Sequence, residues 1–589
     1  MADSGNNGKL AAIFHNMAEI YRYLGSGERF RALAYDKASR VIASLPDDIG
    51  IYARGKKLDE IPGIGEGIAG KIEEYIATGT IKKYDELHKA VPFELLEMMD
   101  VTGFGPRSLK RIHSELKINT KEKLIEALNN GSIARMKGFG AKKVENMLRG
   151  LKLHKTVEDR MLLWEALQTG DRTLDKLKQL KQVKKAGLAG SLRRMKETIG
   201  DIDILAACEG KDRKKIVDFF TSPALAKYVI ARGDTKASIV LKDNGRQVDL
   251  RLVDEDQWGS ALQYFTGSKE HNIHLRTLAR NKGYKISEYG LFTINDDLRV
   301  AGRAEEEIYK KLGLQIMPPE MREDKGEIEL SAKGKIPELV SVADIKGDLH
   351  SHSVWSDGAR TIDELAKYVR ENYKYEYLVI SDHSKSARIA GGMNEKEVLR
   401  QMKEIDRINN NLGAAFIKKG MEVDILPDGK LDMADEILSQ LDWVTASVHS
   451  NFGKDNTGRI IGACQNRYVC CIGHPTGRLI GSREPYKVNM EEVFGAAKAT
   501  GTALEINAQP QRMDLNDEMA MRARETGIAL VITTDSHDLG QFAYMKAGVA
   551  IARRGWCKAS NVLNTLSWNE VSRFAQKKRM KAKSPAPLL

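Results

Sequence analysis

Residues 190–205 read Gly190-Ser191-Leu192-Arg193-Arg194-Met195-Lys196-Glu197-Thr198-Ile199-Gly200-Asp201-Ile202-Asp203-Ile204-Leu205. A Gly-Ser turn opens a short Arg-bearing helical segment, and Gly200 leads into a strand. Alternate side chains of a strand share a face, so Asp201 and Asp203 point one way while Ile202 and Ile204 point into a core. Two carboxylates side by side repel each other unless a cation sits between them. Magnesium suits such a site, because it binds through a few carboxylates and keeps its other positions for water and phosphates. Backbone amides at the upstream turn would cradle a triphosphate, with Arg193 or Arg194 adding charge. Further along, Arg246-Gln247-Val248-Asp249-Leu250-Arg251-Leu252-Val253 alternates polar and apolar residues and reads as a half-buried strand. A neighbouring antiparallel strand would bring Asp249 beside the first pair. The pattern points to two-metal phosphoryl chemistry on a nucleotide.

The chain around this stretch has 589 residues, enough for three or more domains. No apolar run approaches the length of a membrane span, so no membrane partner is expected. Met1 to Lys9 is short and polar, unlike a signal or transit peptide. Five cysteines form neither a disulfide framework nor a Cys-x-x-Cys zinc pattern, which fits a reducing cytoplasm. A net charge of +12 suggests a polyanionic partner. The basic run Lys577–Lys583 reads as a solvated tail that adds nonspecific affinity for DNA.

The first part of the chain is helical and repeats itself. Ile61-Pro62-Gly63-Ile64-Gly65, Val101-Thr102-Gly103-Phe104-Gly105 and Met136-Lys137-Gly138-Phe139-Gly140 each place a Gly-x-Gly turn before a helix with basic residues. Glycine permits the tight turn and a close backbone approach, and the following helix N-terminus holds a phosphate without reading sequence. The three resemble helix-hairpin-helix elements that clamp the DNA backbone. Residues 156–255 mix helix and strand, and 256–320 form a further mixed module. Pro318 to Pro337 is rich in Glu, Lys and Gly and reads as a linker, with Gly326 a candidate hinge. Beyond it, strand-like and helix-like segments alternate, which favours an α/β, barrel-like domain.

Of twelve histidines, the last six fall in short polar clusters in this C-terminal half. These are Asp348-Leu349-His350-Ser351-His352, Asp382-His383, Ser447-Val448-His449-Ser450, Gly473-His474-Pro475 and Asp535-Ser536-His537. Nearly every cluster follows an apolar run. In a parallel barrel the C-terminal strand ends converge on one face. Asp357 lies one loop further on, and Glu422 sits in another apolar run. Imidazole and carboxylate without thiolate suit zinc, manganese or iron. Such a cluster activates water for hydrolysis, with phosphate esters as natural substrates.

Taken together, these motifs resemble a family X DNA polymerase of the bacterial and archaeal type with a C-terminal polymerase-and-histidinol-phosphatase (PHP) domain. The Gly-Ser run with Asp201 and Asp203 matches the palm motif, and Asp249 matches the third palm carboxylate. Tyr264-Phe265-Thr266-Gly267-Ser268 matches the nucleotide-binding turn. The resemblance implies Mg2+ or Mn2+ on Asp201, Asp203 and Asp249, and phosphate contacts from Gly190, Ser191, Arg194 and Gly200. It places Tyr264, Phe265 and Gly267 against the nucleotide sugar, and Asn272 and Arg276 beside the nascent pair and template. For the C-terminal half it implies a three-ion Mn2+ or Zn2+ cluster on His350, His352, Asp357, His383, Glu422, His449, His474, Asp535 and His537.

The implied architecture is multidomain. It runs as a lyase-like 5′-phosphate-binding helical domain with a helix-hairpin-helix (1–85), a fingers-type helix-hairpin-helix domain (86–155), an α+β nucleotidyltransferase palm (156–255), a nucleotide-selecting thumb (256–320), a linker (321–340), an α/β PHP barrel (341–575) and a basic tail (576–589). The resemblance places Lys71 where relatives carry a lyase nucleophile that forms a Schiff base, with Lys37 and Lys83 in support. Gly67 and Thr80 replace further phosphate-binding lysines of that pattern, so a phosphate contact at Lys71 stands as the alternative. DNA-backbone contacts are expected at Gly63, Gly65, Gly103, Gly105, Gly138 and Gly140. The implied function is gap-filling DNA synthesis in base excision repair, with 3′→5′ exonuclease, abasic-site endonuclease or 3′-phosphate removal at the PHP site. Its partners would be gapped or nicked DNA with a 5′-phosphate and deoxynucleoside triphosphates, and it would act as a nucleoid-associated cytoplasmic monomer. The competing readings are a small-molecule phosphatase and a DNA-end-binding scaffold with vestigial sites.

Overall fold

The computed structural model describes residues 6–25, 28–43, 45, 48–61, 63–100, 104–140, 143–145, 147–148, 151 and 160–581. The N-terminal region is helical around a core of its own, with Phe14, Phe104 and Phe139 fully buried. Two of its Gly-x-Gly turns, at 61–65 and 136–140, repeat one geometry. Ile64 N–H donates to the Ile61 carbonyl, and Phe139 N–H to that of Met136, both at 3.0 Å. Gly65 and Gly105 then cap the helices Glu66–Thr78 and Pro106–Leu116. Gly63 and Gly138 adopt φ of +96° and +82°, which explains glycine at both turns. Gly103 and the 155/156 boundary lie outside the described residues.

The sheet carrying the aspartates has five strands, in the order Lys185–Leu188, Ile202–Ala207, Gln247–Val253, Lys236–Leu241, Ala226–Arg232. Ile202, Ile204, Leu250 and the inner face of helix Leu163–Lys178 share its core. One expectation needs correction. The strand of Asp249 runs parallel, not antiparallel, to that of Asp201–Asp203. After Ala207 the chain crosses over through helix Arg213–Phe220 and spends the edge hairpin 226–241 before returning in its original direction, as a parallel pair requires.

Helices Trp258–Thr266 and Lys269–Asn281 and a three-stranded sheet follow. The segment read as a linker is packed structure. It contains helix Glu327–Ala332, and Arg322 and Glu327 are both fully buried. Arg322 bonds Glu305 at 2.7 Å, and Glu327 bonds His271 at 2.7 Å. Gly326, the supposed hinge, caps that helix with φ +100°. Charge-rich composition concealed the packing because each buried charge is paired.

The C-terminal half is a parallel sheet of seven strands in chain order, from Gly347–Asp348 to Leu530–Thr533. A bridge between Ser351 and Ser536, with hydrogen bonds from Thr534 to Asp348, brings the last strand back to the first and nearly closes a barrel. The basic tail also differs from expectation. Residues 576–581 belong to helix Trp568–Lys581, and buried Lys578 donates to the Cys464 carbonyl at 2.7 Å. Residues 582–589 lie outside the described set. Among the described residues no helix is long and apolar enough to cross a membrane.

Candidate active sites

The first site forms where the two parallel strands begin. Their register sets Asp203 opposite Asp249, and Asp201, Asp203 and Asp249 offer oxygens within 4.8 Å of one another. Burial and the neighbouring charges of Asp201 and Asp249 push the Asp203 carboxyl up to about 7. A divalent cation would relieve that repulsion, so the donor set fits the expected ions. Helix Gly190–Arg193 packs directly over the cluster. A Cβ at Gly190 would fall 1.9 Å from Asp203 Oδ2, and its φ is +59°, so this position admits glycine alone. Gln247, which steadies Asp249 at 3.0 Å, was not singled out from the sequence.

The residues expected to contact the nucleotide meet on one side of this cluster. Asn272 donates to the Tyr264 carbonyl at 2.8 Å, the Arg276 guanidinium lies 5.0 Å from the Tyr264 ring, and Tyr264 meets Phe265 edge-on at 5.1 Å. Arg194 reaches across to donate to the Thr266 carbonyl at 2.5 Å, and Gly267 lies against its guanidinium. Ser191 sits in the Gly190–Arg193 helix, and Gly200 directly precedes Asp201. In the N-terminal helices, half-buried Lys71 donates to the Gly67 carbonyl at 2.8 Å and stands 5.8 Å from the Tyr35 ring. Lys37 lays its stem against Gly63, and Lys83 pairs with Glu86 at 2.9 Å. Tyr35, stacked on Tyr21 at 5.4 Å, was missed by the sequence reading.

The second site lies at the C-terminal ends of the barrel strands, where all nine expected residues converge. Three donor groups form: His352, Asp357, His383 and His537; His350, His352 and Asp535; and His383, Glu422 and His449. Glu422 is their hub, 2.9 Å from His383, 3.2 Å from His449 and 3.0 Å from His474. Burial drives His352 down to about 3 and His474 to about 4. Burial also works against charge on His449 and His537, but carboxylate neighbours, Glu422 for one and Asp357 for the other, raise both to about 9. His350 Nε2, both ring nitrogens of His352 and His474 Nδ1 are buried without a hydrogen-bond partner. Orphaned buried imidazole nitrogens aimed at carboxylates are what a cluster of divalent ions would satisfy.

The sequence reading gave no supporting role to the groups behind these residues. Fully buried Glu505 accepts from His350 Nδ1 and Thr533 Oγ1, both at 2.6 Å, which turns His350 Nε2 toward the cluster. Asp382 receives the Ser353 amide at 2.8 Å and Gln401 at 2.6 Å. Glu505 could have been found as the acidic residue of the apolar run Ala503-Leu504-Glu505-Ile506. The cleft above the cluster, about 560 Å³, is bounded on its far side by Arg22, Leu33 and Asp36 of the N-terminal helices.

Comparison with known proteins agrees with this geometry. Residues 261–323 match the DNA polymerase beta thumb, residues 5–81 a helix-hairpin-helix domain, and 55–118 and 93–153 a SAM-like helix-hairpin-helix tandem. The DNA polymerase/3′-5′ exonuclease PolX of Bacillus subtilis (strain 168) is 37% identical over 564 residues, covering 95% of this chain and 97% of that protein. DNA polymerase lambda of Rattus norvegicus is 25% identical over 331 residues, 51% of this chain and 54% of that protein. A Thermoanaerobacter sp. (strain X514) protein named a probable phosphatase is 29% identical over 253 residues, 40% of this chain and 96% of its own length. With an aspartate-bearing palm beside a beta-type thumb, and a PHP-type barrel behind them, this chain belongs to the PolX group of family X DNA polymerases.

Proposed function

We propose that this chain is a template-directed DNA polymerase that fills short gaps during repair, with a 3′-end-processing phosphoesterase in its barrel. The observation that carries the reading is the convergence of Asp201, Asp203 and Asp249 beneath the Gly190–Arg193 helix, in one chain with the nine-residue histidine and carboxylate cluster.

Magnesium or manganese bound at the palm supplies Lewis acidity toward the primer 3′-hydroxyl and the triphosphate. Asp201, Asp203 and Asp249 would hold the ions. Ser191, Arg194 and the Gly200 backbone carry phosphate oxygens. The Tyr264–Phe265 ring pair lies against the sugar and disfavours a 2′-hydroxyl. Asn272 fixes that pair through its bond to the Tyr264 carbonyl.

In the barrel, manganese or zinc, three ions in the full site, supplies an activated water for phosphoester hydrolysis. Glu422 and Asp535 would hold the ions, and Glu505 orients His350. The same chemistry serves exonuclease, abasic-site endonuclease and 3′-phosphatase action, because these differ only in how the strand is presented.

The N-terminal helices grip a 5′-phosphate through Lys37, Lys71 and Lys83, and the Gly-x-Gly turns hold the flanking backbone. Lyase chemistry at Lys71 is the second reading, favoured by its place beside Tyr35. Borohydride trapping on an abasic 5′ end checks it: a covalent adduct lost in Lys71→Ala supports the lyase, and no adduct in wild type removes it. The enzyme works as a nucleoid-associated cytoplasmic monomer.

The test offers 5′-phosphorylated gapped DNA with magnesium or manganese to wild type, Asp249→Ala and His350→Ala. Extension lost only in the first variant and 3′ trimming lost only in the second is the expected result. A wild type inert on gapped DNA would leave a small-molecule phosphatase or a binding scaffold.

A further inference from the structure

The two arginines of the Gly190–Arg193 turn are held by different parts of the molecule. Arg193 donates two hydrogen bonds to the Glu305 carboxylate, at 2.9 and 2.6 Å, and Glu305 is shared with buried Arg322. That triad lies within the polymerase half. Arg194 bonds Glu323 Oε1 through Nε at 3.0 Å, and the same oxygen accepts from Arg554 Nη1 at 2.9 Å. Arg554 comes from the barrel, at the end of helix Met545–Arg554. Its Nη1 also donates to the Arg194 carbonyl at 2.9 Å, and its Nη2 to Asp517 at 2.6 Å. The Arg554 side chain is 2% exposed, so it is committed wholly to this junction.

A second barrel arginine holds the same stretch of palm. Arg478 reaches Glu197 at 2.7 Å and is itself anchored on the Met513 carbonyl at 2.5 Å. The stretch 194–197 joins the phosphate turn to the strand of Asp201, and Met195 within it has φ +53°. A left-handed non-glycine turn persists when its surroundings over-determine it. Here the barrel supplies those surroundings at both ends.

We propose that Arg554 of the barrel is a positioning residue for nucleotide addition, setting Arg194 for the incoming triphosphate by sharing Glu323 with it and anchoring its carbonyl. This rests on the reading of Arg194 as a triphosphate contact. One carboxylate between two guanidinium groups divides its attraction between them. With Arg554 gone, Arg194 is the guanidinium left on Glu323, with the Lys196 charge nearby; Glu323 binds it more tightly and competes with the triphosphate for it. The barrel thus completes the nucleotide site of the other half, while its own metal cluster lies elsewhere.

Nucleotide-addition kinetics and 3′ trimming on the full chain test this with Arg554→Met. The expected result is a KM for deoxynucleoside triphosphate raised about tenfold, with kcat changed far less and trimming unchanged. Adding Glu323→Gln to R554M should return KM toward wild type, because the competing charge is gone. A merely structural defect would instead add to the loss. A KM equal to wild type in R554M, no recovery in the double variant, or trimming that falls as KM rises would each overturn the proposal. If R554M does not accumulate as folded protein, Arg554→Lys takes its place under the same criteria, since lysine lacks the planar fork. Arg194→Gln separates the two layers. KM unchanged there removes the triphosphate contact itself, whereas KM raised in R194Q and unchanged in R554M removes only the role of Arg554.

Discussion

Asp203 and Asp249 are direct Cα partners on two parallel strands, so their carboxylates rise from the same level of the sheet on the same face. Register of this kind leaves no freedom to spread the charges apart; burial, with the neighbouring charges of Asp201 and Asp249, pushes the Asp203 carboxyl up to about 7. Divalent ions convert that penalty into affinity. Asp249→Ala should lower nucleotide addition on gapped DNA by roughly 10²–10³-fold, the order seen when one transition-state electrostatic stabiliser is removed. Gel-shift affinity for the DNA and 3′ trimming should stay near wild type.

Gly190 is constrained from two sides, by its φ of +59° and by the Asp203 oxygen 1.9 Å from where a Cβ would stand. Gly190→Ala must push the carboxylate or the phosphate turn aside. A displacement near 1 Å costs on the order of 10² in rate. Single-turnover extension at saturating magnesium reads this directly, and normal addition by G190A would refute the packing argument.

Glu505 fixes the tautomer and orientation of His350 from behind. Glu505→Gln should weaken metal binding at the barrel by about 10–100-fold, as loss of such an outer partner does. Calorimetric titration of the metal-stripped protein with manganese checks the affinity. Trimming should need correspondingly more metal, and nucleotide addition should not change.

Glu305 is 6% exposed between Arg193 and Arg322. Burial pushes its carboxyl up, but Arg322 and Arg193 prevail and bring it to about 2, from an ordinary value of 4.5. A depressed carboxyl stabilises the fold fully above its unfolded value, and that contribution fades as pH falls from about 4.5 toward 2. Glu305→Gln leaves the buried Arg322 guanidinium and the half-buried Arg193 short of a charged partner and should cost about 3–5 kcal/mol. Denaturant unfolding at pH 7 measures the loss. The variant's stability should also fall less steeply than wild type between pH 4.5 and 2.

Much of both sites was legible from local pattern. Two-residue periodicity put Asp201 and Asp203 on one face and Asp249 on an alternating strand; polar clusters after apolar runs marked the six histidines and Asp535, and the family resemblance added Asp357 and Glu422 to the set. Strand direction was not legible, because alternation in 246–253 looks identical whichever way the strand runs; the crossover through Arg213–Phe220 decided it. Arg322 and Glu327 read as linker charges because their partners, Glu305 and His271, lie 17 and 56 residues away in sequence. Glu505 escaped notice as a lone acid in an apolar strand.

By itself, then, the sequence singled out the candidate site residues, through local pattern and family resemblance, and the face of each element on which they stand, through short-range periodicity. Only the tertiary structure decided that the Gly190–Arg193 turn is gripped from both halves of the chain. That grip depends on charges such as Arg194, Glu323 and Arg554 being buried together. Burial of a charge is decided by its distant partners, and no local stretch of sequence contains them.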